Sequence, residues 1–426
     1  MKNVKIKKYQ SRKGYKWVIA GLCFLMIFVG LGFCSTNKSI YLYPITEALG
    51  IKRSAFSITD SIRFVVSTLL TLFFGPLVKK FGIKKLVVFG FISLIVSILI
   101  HAAAESLIWF YIAGVFLGIA YAWTSVTIVG TVINRWFSEK SGAVMGTIFA
   151  ANGAGSVVST QILSPFIYQE GNPFGYRQAY LVTALILTVV LALVLVLYKE
   201  KTDKDEKAED KEVPSKPVWE GMDISRAKEN PYFYCTAVCV FLFGMTLEGL
   251  VGIAAAHLHD VGIDSDFVVR VITVYSIFLA VSKFGAGFIC DKFGLRVTAS
   301  ICNIAAIMAL MALMLTNNSA VGMALALGYG VFVAMALPLD SLMIPIFAKE
   351  LFGTRSYEQI LGVFVAANNA GFAVGVPLMN LVFDIFGSYK PILLITAIGI
   401  AAVFILLQII ITQSNKWKSE KILEMV

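Results

Sequence analysis

Gly75-Pro-Leu-Val-Lys-Lys-Phe-Gly-Ile-Lys84 returns in related form as Gly287-Phe-Ile-Cys-Asp-Lys-Phe-Gly-Leu-Arg296, 212 residues further along the chain. A second pair keeps nearly the same offset: Gly146-Thr-Ile-Phe-Ala-Ala-Asn-Gly-Ala-Gly155 matches Gly362-Val-Phe-Val-Ala-Ala-Asn-Asn-Ala-Gly371, 216 residues away. One match between apolar stretches could arise by chance. Two in register, at close to half of a 426-residue chain, mark an internal duplication.

Composition says what kind of unit is duplicated. The chain is 58% hydrophobic and 15% charged, with a mean hydropathy of +0.81, whereas a soluble domain carries about 25% charged residues. Apolar runs of about 20 residues, the length needed to cross a bilayer, recur from end to end. Their breaks predict helices at 17–46, 56–78, 84–104, 107–131, 142–168 and 178–198, then 232–257, 267–290, 296–316, 320–347, 357–384 and 390–413. The first repeated motif closes helices 2 and 8; the second lies in helices 5 and 11. The expected fold is an all-α membrane protein of twelve transmembrane helices in two pseudo-symmetric six-helix bundles. Residues 1–198 form the first bundle, 199–230 a cytoplasmic linker, 231–413 the second bundle and 414–426 a cytoplasmic tail.

The net charge of +10 is distributed as a topology signal. With the N-terminus inside, 28 of the 36 Lys and Arg fall in cytoplasmic segments and four (Lys52, Arg53, Arg177, Lys390) in external loops. That bias places both termini in the cytoplasm of a multi-pass protein of the cell membrane. It leaves no basic face for nucleic acid. The run from Trp17 to about Thr46 is too long for a cleaved signal and reads as a retained first helix. Lys199 to Asn230 mixes both charge signs with two prolines, as expected of a mobile linker, with a short helix near Trp219 to Lys228. Six cysteines lie in or beside apolar runs, where Cys acts as a small hydrophobe. No metal site, cofactor or catalytic constellation is expected, and the chain does not read as an enzyme.

The duplicated loop carries a resemblance. Gly287 to Arg296 resembles the Gly-x-x-x-Asp-Arg-x-Gly-Arg-Arg loop of the major facilitator superfamily, whose fold of two parallel six-helix repeats matches the duplication. In that family the loop aspartate lies against a helix N-terminus of the other half and helps hold the cytoplasmic side shut, a position favoured by unsatisfied N–H groups and the helix dipole. The resemblance implies this role for Asp291, toward the start of helix 5 near Arg135. The other copy has Lys79 where the family has Asp, which implies an asymmetric latch. Lys79, Arg135, Asp291 and Arg296 are the expected gating residues. Asn134-Arg-Trp-Phe-Ser-Glu-Lys-Ser-Gly142 is similar to a segment of oxalate/formate antiporters and monocarboxylate carriers. Tyr43-Pro-Ile-Thr-Glu-Ala-Leu-Gly50 with Arg53-Ser-Ala-Phe-Ser57, and Asp384-Ile-Phe-Gly-Ser-Tyr389, look like the same branch. That branch carries an arginine in helix 8 where this chain has Lys283, so the cation is kept without the bidentate fork. Oxalate carriers also have a helix-11 lysine; the corresponding position here is Asn368, which favours a monocarboxylate over a dianion.

Ionisable residues inside a span are costly, about 2.5–3.5 kcal/mol each on insertion scales, so each needs a partner, water or a solute. Lys283 is read either as a substrate site or as a structural partner of Glu248 or Asp340. Lys38 and Tyr41 could line the same cavity. Arg63 could do so too, or pair with Asp60 three residues before it. Glu248 and Asp340, the acids well inside spans, are candidates for proton coupling or for fixed ion pairs. Asn152 and Asn368 occupy equivalent places in the repeat and should bond another helix or contact the solute. The expected function is alternating-access transport of a small organic anion by a monomer, coupled to a proton or a counter-anion. A drug or metabolite exporter and a non-transporting membrane sensor are the alternatives.

Overall fold

A computed structural model of the chain describes residues 2–124, 126–137, 141–199, 222–353 and 355–424. Among these there is helix and turn but no strand. The helices are α1 (Lys2–Ile27), continued by a π-helical stretch (Phe28–Thr36), then α2 (Ser39–Leu49), α3 (Arg53–Leu72), α4 (Phe74–Phe81), α5 (Ile83–Ala103), α6 (Leu107–Thr124), α7 (Val126–Trp136), α8 (Ser141–Ile167) and α9 (Gly175–Leu197). After residues 200–221, which hold most of the expected linker and lie outside the described residues, come α10 (Ile224–Glu229), α11 (Pro231–Asp260), α12 (Ser265–Met314), α13 (Ala320–Ala336), a 3-10 turn (Leu337–Asp340), α14 (Met343–Phe352), α15 (Tyr357–Phe386) and α16 (Lys390–Glu424). α10 is the short helix expected at the end of the linker.

Ten described helical runs are long and apolar enough to cross a membrane. The two expected spans outside that set are α3, which carries Arg53, Asp60 and Arg63, and α8, rich in Gly, Ser, Thr and Asn. Both are helical. The duplication is visible in the backbone. Gly82 and Gly294, the eighth residues of the two loop motifs, have φ of +78° and +82°, a conformation a side chain would strain. At Gly294 the backbone leaves helical geometry, with φ of +82° and ψ of 172°, and this kink inside α12 separates helices 8 and 9.

The chain divides into two compact units: Met1–Leu49 with Val66–Glu212, and Gly50–Val65 with Val213–Val426. The first thirteen residues of α3, Arg53 to Val65, therefore pack with the second unit. In the first unit the π-helical stretch meets α8 without side chains between them. A Cβ on Gly155 would lie 2.1 Å from Phe28 O, and one on Gly32 would lie 2.6 Å from Gly155 Cα. In the second unit α11 meets α15 the same way, a Cβ on Gly371 lying 2.2 Å from Phe241 O and one on Gly375 2.1 Å from Met245 O. Gly155 and Gly371 are repeat equivalents, so each unit uses the same small-residue device for helix packing.

Candidate functional site

In the first unit the first span is broken. The π-helical stretch ends in a turn at Asn37 and Lys38 before α2 begins. A π-helix is rare beyond a single turn and widens the backbone, leaving carbonyls for side chains to satisfy. Tyr121 Oη donates to Gly30 O at 3.2 Å, and Ser159 Oγ lies 3.1 Å from Gly32 O. Asn37 Nδ2 donates to Ser159 Oγ at 2.8 Å, and Thr36 Oγ1 donates to Asn152 Oδ1 at 2.5 Å. Asn152 thus bonds another helix. Tyr41 is buried and stacks on Tyr180 of α9, ring centroids 4.4 Å apart. Lys38 sits on the break itself, partly buried.

In the second unit the structure gathers five charged groups that the sequence places far apart. Arg63 on α3, only 2% exposed, bonds Asp60 at 3.1 Å and Glu248 on α11 at 3.2 Å, with its guanidinium 4.2 Å from the Phe64 ring. Arg63 therefore meets the expected i−3 partner and also a carboxylate 185 residues away. Lys283 lies on α12, partly buried, and the fields of Asp340 and Glu248 both reach it. Neither carboxylate closes an ion pair with it among the described residues. Asp340 ends the 3-10 turn that interrupts the tenth span. Its backbone carbonyl accepts from Asn368 Nδ2 at 2.9 Å, while Asn368 Oδ1 is buried without a partner. Tyr275, buried on α12, also feels Glu248 and Asp340.

Of the expected gating residues, the side chains of Lys79, Arg135 and Asp291 lie outside the described residues. Arg296 is exposed and bonds Thr412 Oγ1 on α16. A network that the sequence did not assemble lies at the start of α3. Arg53 binds Asp260 at the end of α11 through both nitrogens, at 2.5 and 2.8 Å, and stacks on Phe383 with its centre 4.2 Å from the ring. Arg53 Nη1 also donates to Tyr389 Oη at 3.3 Å, and Tyr389 Oη donates to Asn380 Oδ1 at 2.6 Å. Burial pushes the Tyr389 phenol above its ordinary pKa, against a smaller downward pull from Arg53. Arg53–Ser57 and Asp384–Tyr389 stand out in the sequence as separate stretches; nothing in one sequence joins them.

Membrane-length helices in two repeats, spans interrupted beside intramembrane charges and glycine-sealed helix pairs define a secondary-carrier architecture. The family model of the Major Facilitator Superfamily matches residues 21–264 and 236–424, and the chain belongs to this family. It is a multi-pass membrane transporter, not an enzyme. Its relatives include the uncharacterized MFS-type transporter YcxA of Bacillus subtilis (strain 168), 23% identical over 94% of this chain and 97% of that protein. The oxalate:formate antiporter of Oxalobacter formigenes is 22% identical over 95% of this chain and 93% of its own length. A crystal structure of the nucleoside transporter NupG superposes with a TM-score of 0.74 at 14% identity, covering 93% of this chain and 98% of that one; this is a likeness of fold.

Proposed function

We propose that the chain carries a small, monocarboxylate-like organic anion across the cell membrane by alternating access, as a monomer with both termini in the cytoplasm. The observation that carries the reading is Lys283, an intramembrane cation that no described carboxylate pairs directly. An anionic solute completes such a site, which would otherwise hold an ammonium group in low dielectric at a cost of several kcal/mol. The likeness to an oxalate:formate antiporter supports the same class of cargo. Lys38, on the break of the first span, is the second cation of the pathway, whereas Arg63 serves to hold α3 through Asp60 and Glu248. Glu248 and Asp340 are the groups through which a proton would couple; exchange against a second anion is the other route. Asp291 and Arg135 form the stronger half of an asymmetric cytoplasmic latch, Lys79 marking the weaker half.

A second reading rests on a specific observation. Asp60, Glu248 and Asp340 outnumber Arg63 and Lys283, so the cluster has an acidic surplus that suits a cationic solute. A thermal-shift screen of the purified carrier separates the two. Lactate, acetate or formate raises the unfolding temperature under the first reading, with stabilisation of about 2.7 kcal/mol at a hundred times Kd, and Lys283→Met removes the shift. A shift with tetraphenylphosphonium and none with the carboxylates establishes the second.

A further inference from the structure

The two loop motifs each end on a cation, Lys84 and Arg296, and the two halves use these cations differently. Lys84 Nζ donates to Leu195 O at 3.0 Å, in the last turn of α9, so its charge meets a carbonyl left over at a helix end. Arg296 reaches the last helix of its own half, α16, but that helix continues past the contact to Glu424, so there is no helix end to cap. Among the described residues Arg296 has a hydroxyl, Thr412 Oγ1, for a partner and no carboxylate.

One turn deeper a second polar contact joins the same two helices. Gln408 Nε2 donates to Ser300 Oγ at 2.9 Å. The two contacts lie four residues apart on α12 and on α16, in antiparallel order, and hence about 6 Å apart along the helices. Arg296 and Thr412 are exposed, Ser300 and Gln408 half-buried. Exposed Val297 and Ile301 border this seam on α12, and exposed Ile405 and Ile409 border it on α16. Such apolar faces on membrane-length helices meet acyl chains. A guanidinium and an amide beside them are costly unless a polar group meets them.

The hydrogen-bonding capacity left in the seam is mainly that of donors. Ser300 Oγ donates to Arg296 O at 2.8 Å and Thr412 Oγ1 to Gln408 O at 2.7 Å, so both hydroxyl protons are engaged. Arg296 keeps N–H groups beyond the one that meets Thr412, and Gln408 keeps its second amide N–H. Lys416, exposed and one turn beyond Thr412 on α16, adds an ammonium group. A fitting ligand therefore presents negative charge near the ends of the spans and neutral acceptors about one turn deeper. A glycerophospholipid has this order, with its phosphate outermost and its ester carbonyls below. The planar fork of Arg matches phosphate. A zwitterionic headgroup would bring an ammonium group to a place where no described carboxylate pairs with the cations.

We propose that one anionic glycerophospholipid binds in the seam between α12 and α16. Arg296 and Lys416 hold its phosphate, an ester carbonyl accepts from Gln408, and its acyl chains lie over the exposed apolar residues of both helices. Thr412 and Ser300 are positioning residues that aim Arg296 and Gln408. The lipid comes from the leaflet on the side of the C-terminus, which is cytoplasmic in the proposed topology. The first half has no equivalent site, because Lys84 is already engaged by the end of α9.

Native mass spectrometry of the full-length protein in detergent, titrated with dioleoylphosphatidylglycerol, reads the site without reference to the transported solute. This lipid should bind more tightly than dioleoylphosphatidylcholine. Arg296→Gln and Lys416→Gln should each weaken its binding by about fivefold, and Lys84→Gln should change it by less than about twofold. In proteoliposomes, phosphatidylglycerol carrying a diazirine on one acyl chain should, on illumination, label peptides covering residues 297–304 and 402–411. Excess unlabelled phosphatidylglycerol should suppress that labelling and phosphatidylcholine should not. The photolabel decides the matter if Arg296→Gln does not fold. Binding that stays within about twofold in both cation variants, or label spread evenly over the other membrane-length helices, overturns the proposal. Displacement of the lipid by glycerol 3-phosphate also overturns it, since the seam would then be a site for a soluble phosphate ester.

Discussion

Replacing Gly371 by alanine tests the packing logic that both halves share. Its Cβ would sit 2.2 Å from Phe241 O and 2.7 Å from Met245 N, both backbone atoms that no rotamer change can move away. A tolerable carbon–oxygen contact needs roughly 1 Å more, so α11 and α15 must separate along much of their shared length. Overpacking of this kind costs about 1–3 kcal/mol. For a unit of about 200 residues each kcal/mol lowers the unfolding temperature by about 2–4 °C, which gives a fall of about 2–12 °C. The internal control is Gly362, nine residues earlier on α15, where a Cβ has nothing within 4 Å. Alanine there should be neutral or stabilising, because Ala exceeds Gly in helix propensity by about 1 kcal/mol. The same pair of results is expected of the repeat equivalents, Gly155→Ala destabilising at 2.1 Å from Phe28 O and Gly146→Ala neutral. Thermal unfolding of the four detergent-solubilised variants, followed by fluorescence-detected size exclusion, measures this. Equal midpoints for Gly371→Ala and Gly362→Ala would refute the glycine-seal argument.

Two further predictions concern the charge cluster. Arg63→Met leaves Asp60 and Glu248 facing an apolar side chain and should destabilise the protein by about 3–5 kcal/mol; Arg63→Met with Glu248→Gln should recover a measurable part, read from the same unfolding curves. Asp340→Asn should remove the stimulation of solute uptake by an inward proton gradient in proteoliposomes while solute exchange at equal pH continues; unaltered stimulation would take Asp340 out of the coupling path.

The sequence was most informative where physics acts locally. The loop glycines Gly82 and Gly294 and the packing glycines Gly155 and Gly371 announce backbone requirements directly, and the structure fills each pair alike. Hydropathy was less able to see interruptions. The first span was expected as one helix over 17–46, but it passes through π geometry and breaks at Asn37–Lys38, because Asn37 and Thr36 bond α8 and Gly32 lies against Gly155. The tenth span, expected over 320–347, breaks at Leu337–Asp340, where Asn368 bonds a freed carbonyl. Both breaks depend on partners more than 25 residues away, which an apolar window does not contain. The intramembrane ionisable residues were equally legible one by one, each conspicuous in an apolar run. Their pairings were not. Arg63 with Glu248, and Arg53 with Asp260, join positions 185 and 207 residues apart. Of the two readings open for Arg63, the structure gives the pairing with Asp60 and adds Glu248, which the sequence did not join to it.

The central claim is that Lys283 receives an organic anion, and uptake by the reconstituted carrier tests it most directly. Proteoliposomes holding the unmodified protein, supplied with radiolabelled lactate, acetate or formate, should accumulate at least one of them, and Lys283→Met, equally expressed and folded, should reduce that uptake to the level of empty liposomes. Uptake by Lys283→Met at the unmodified rate and affinity, or accumulation of tetraphenylphosphonium in place of every carboxylate, would contradict it.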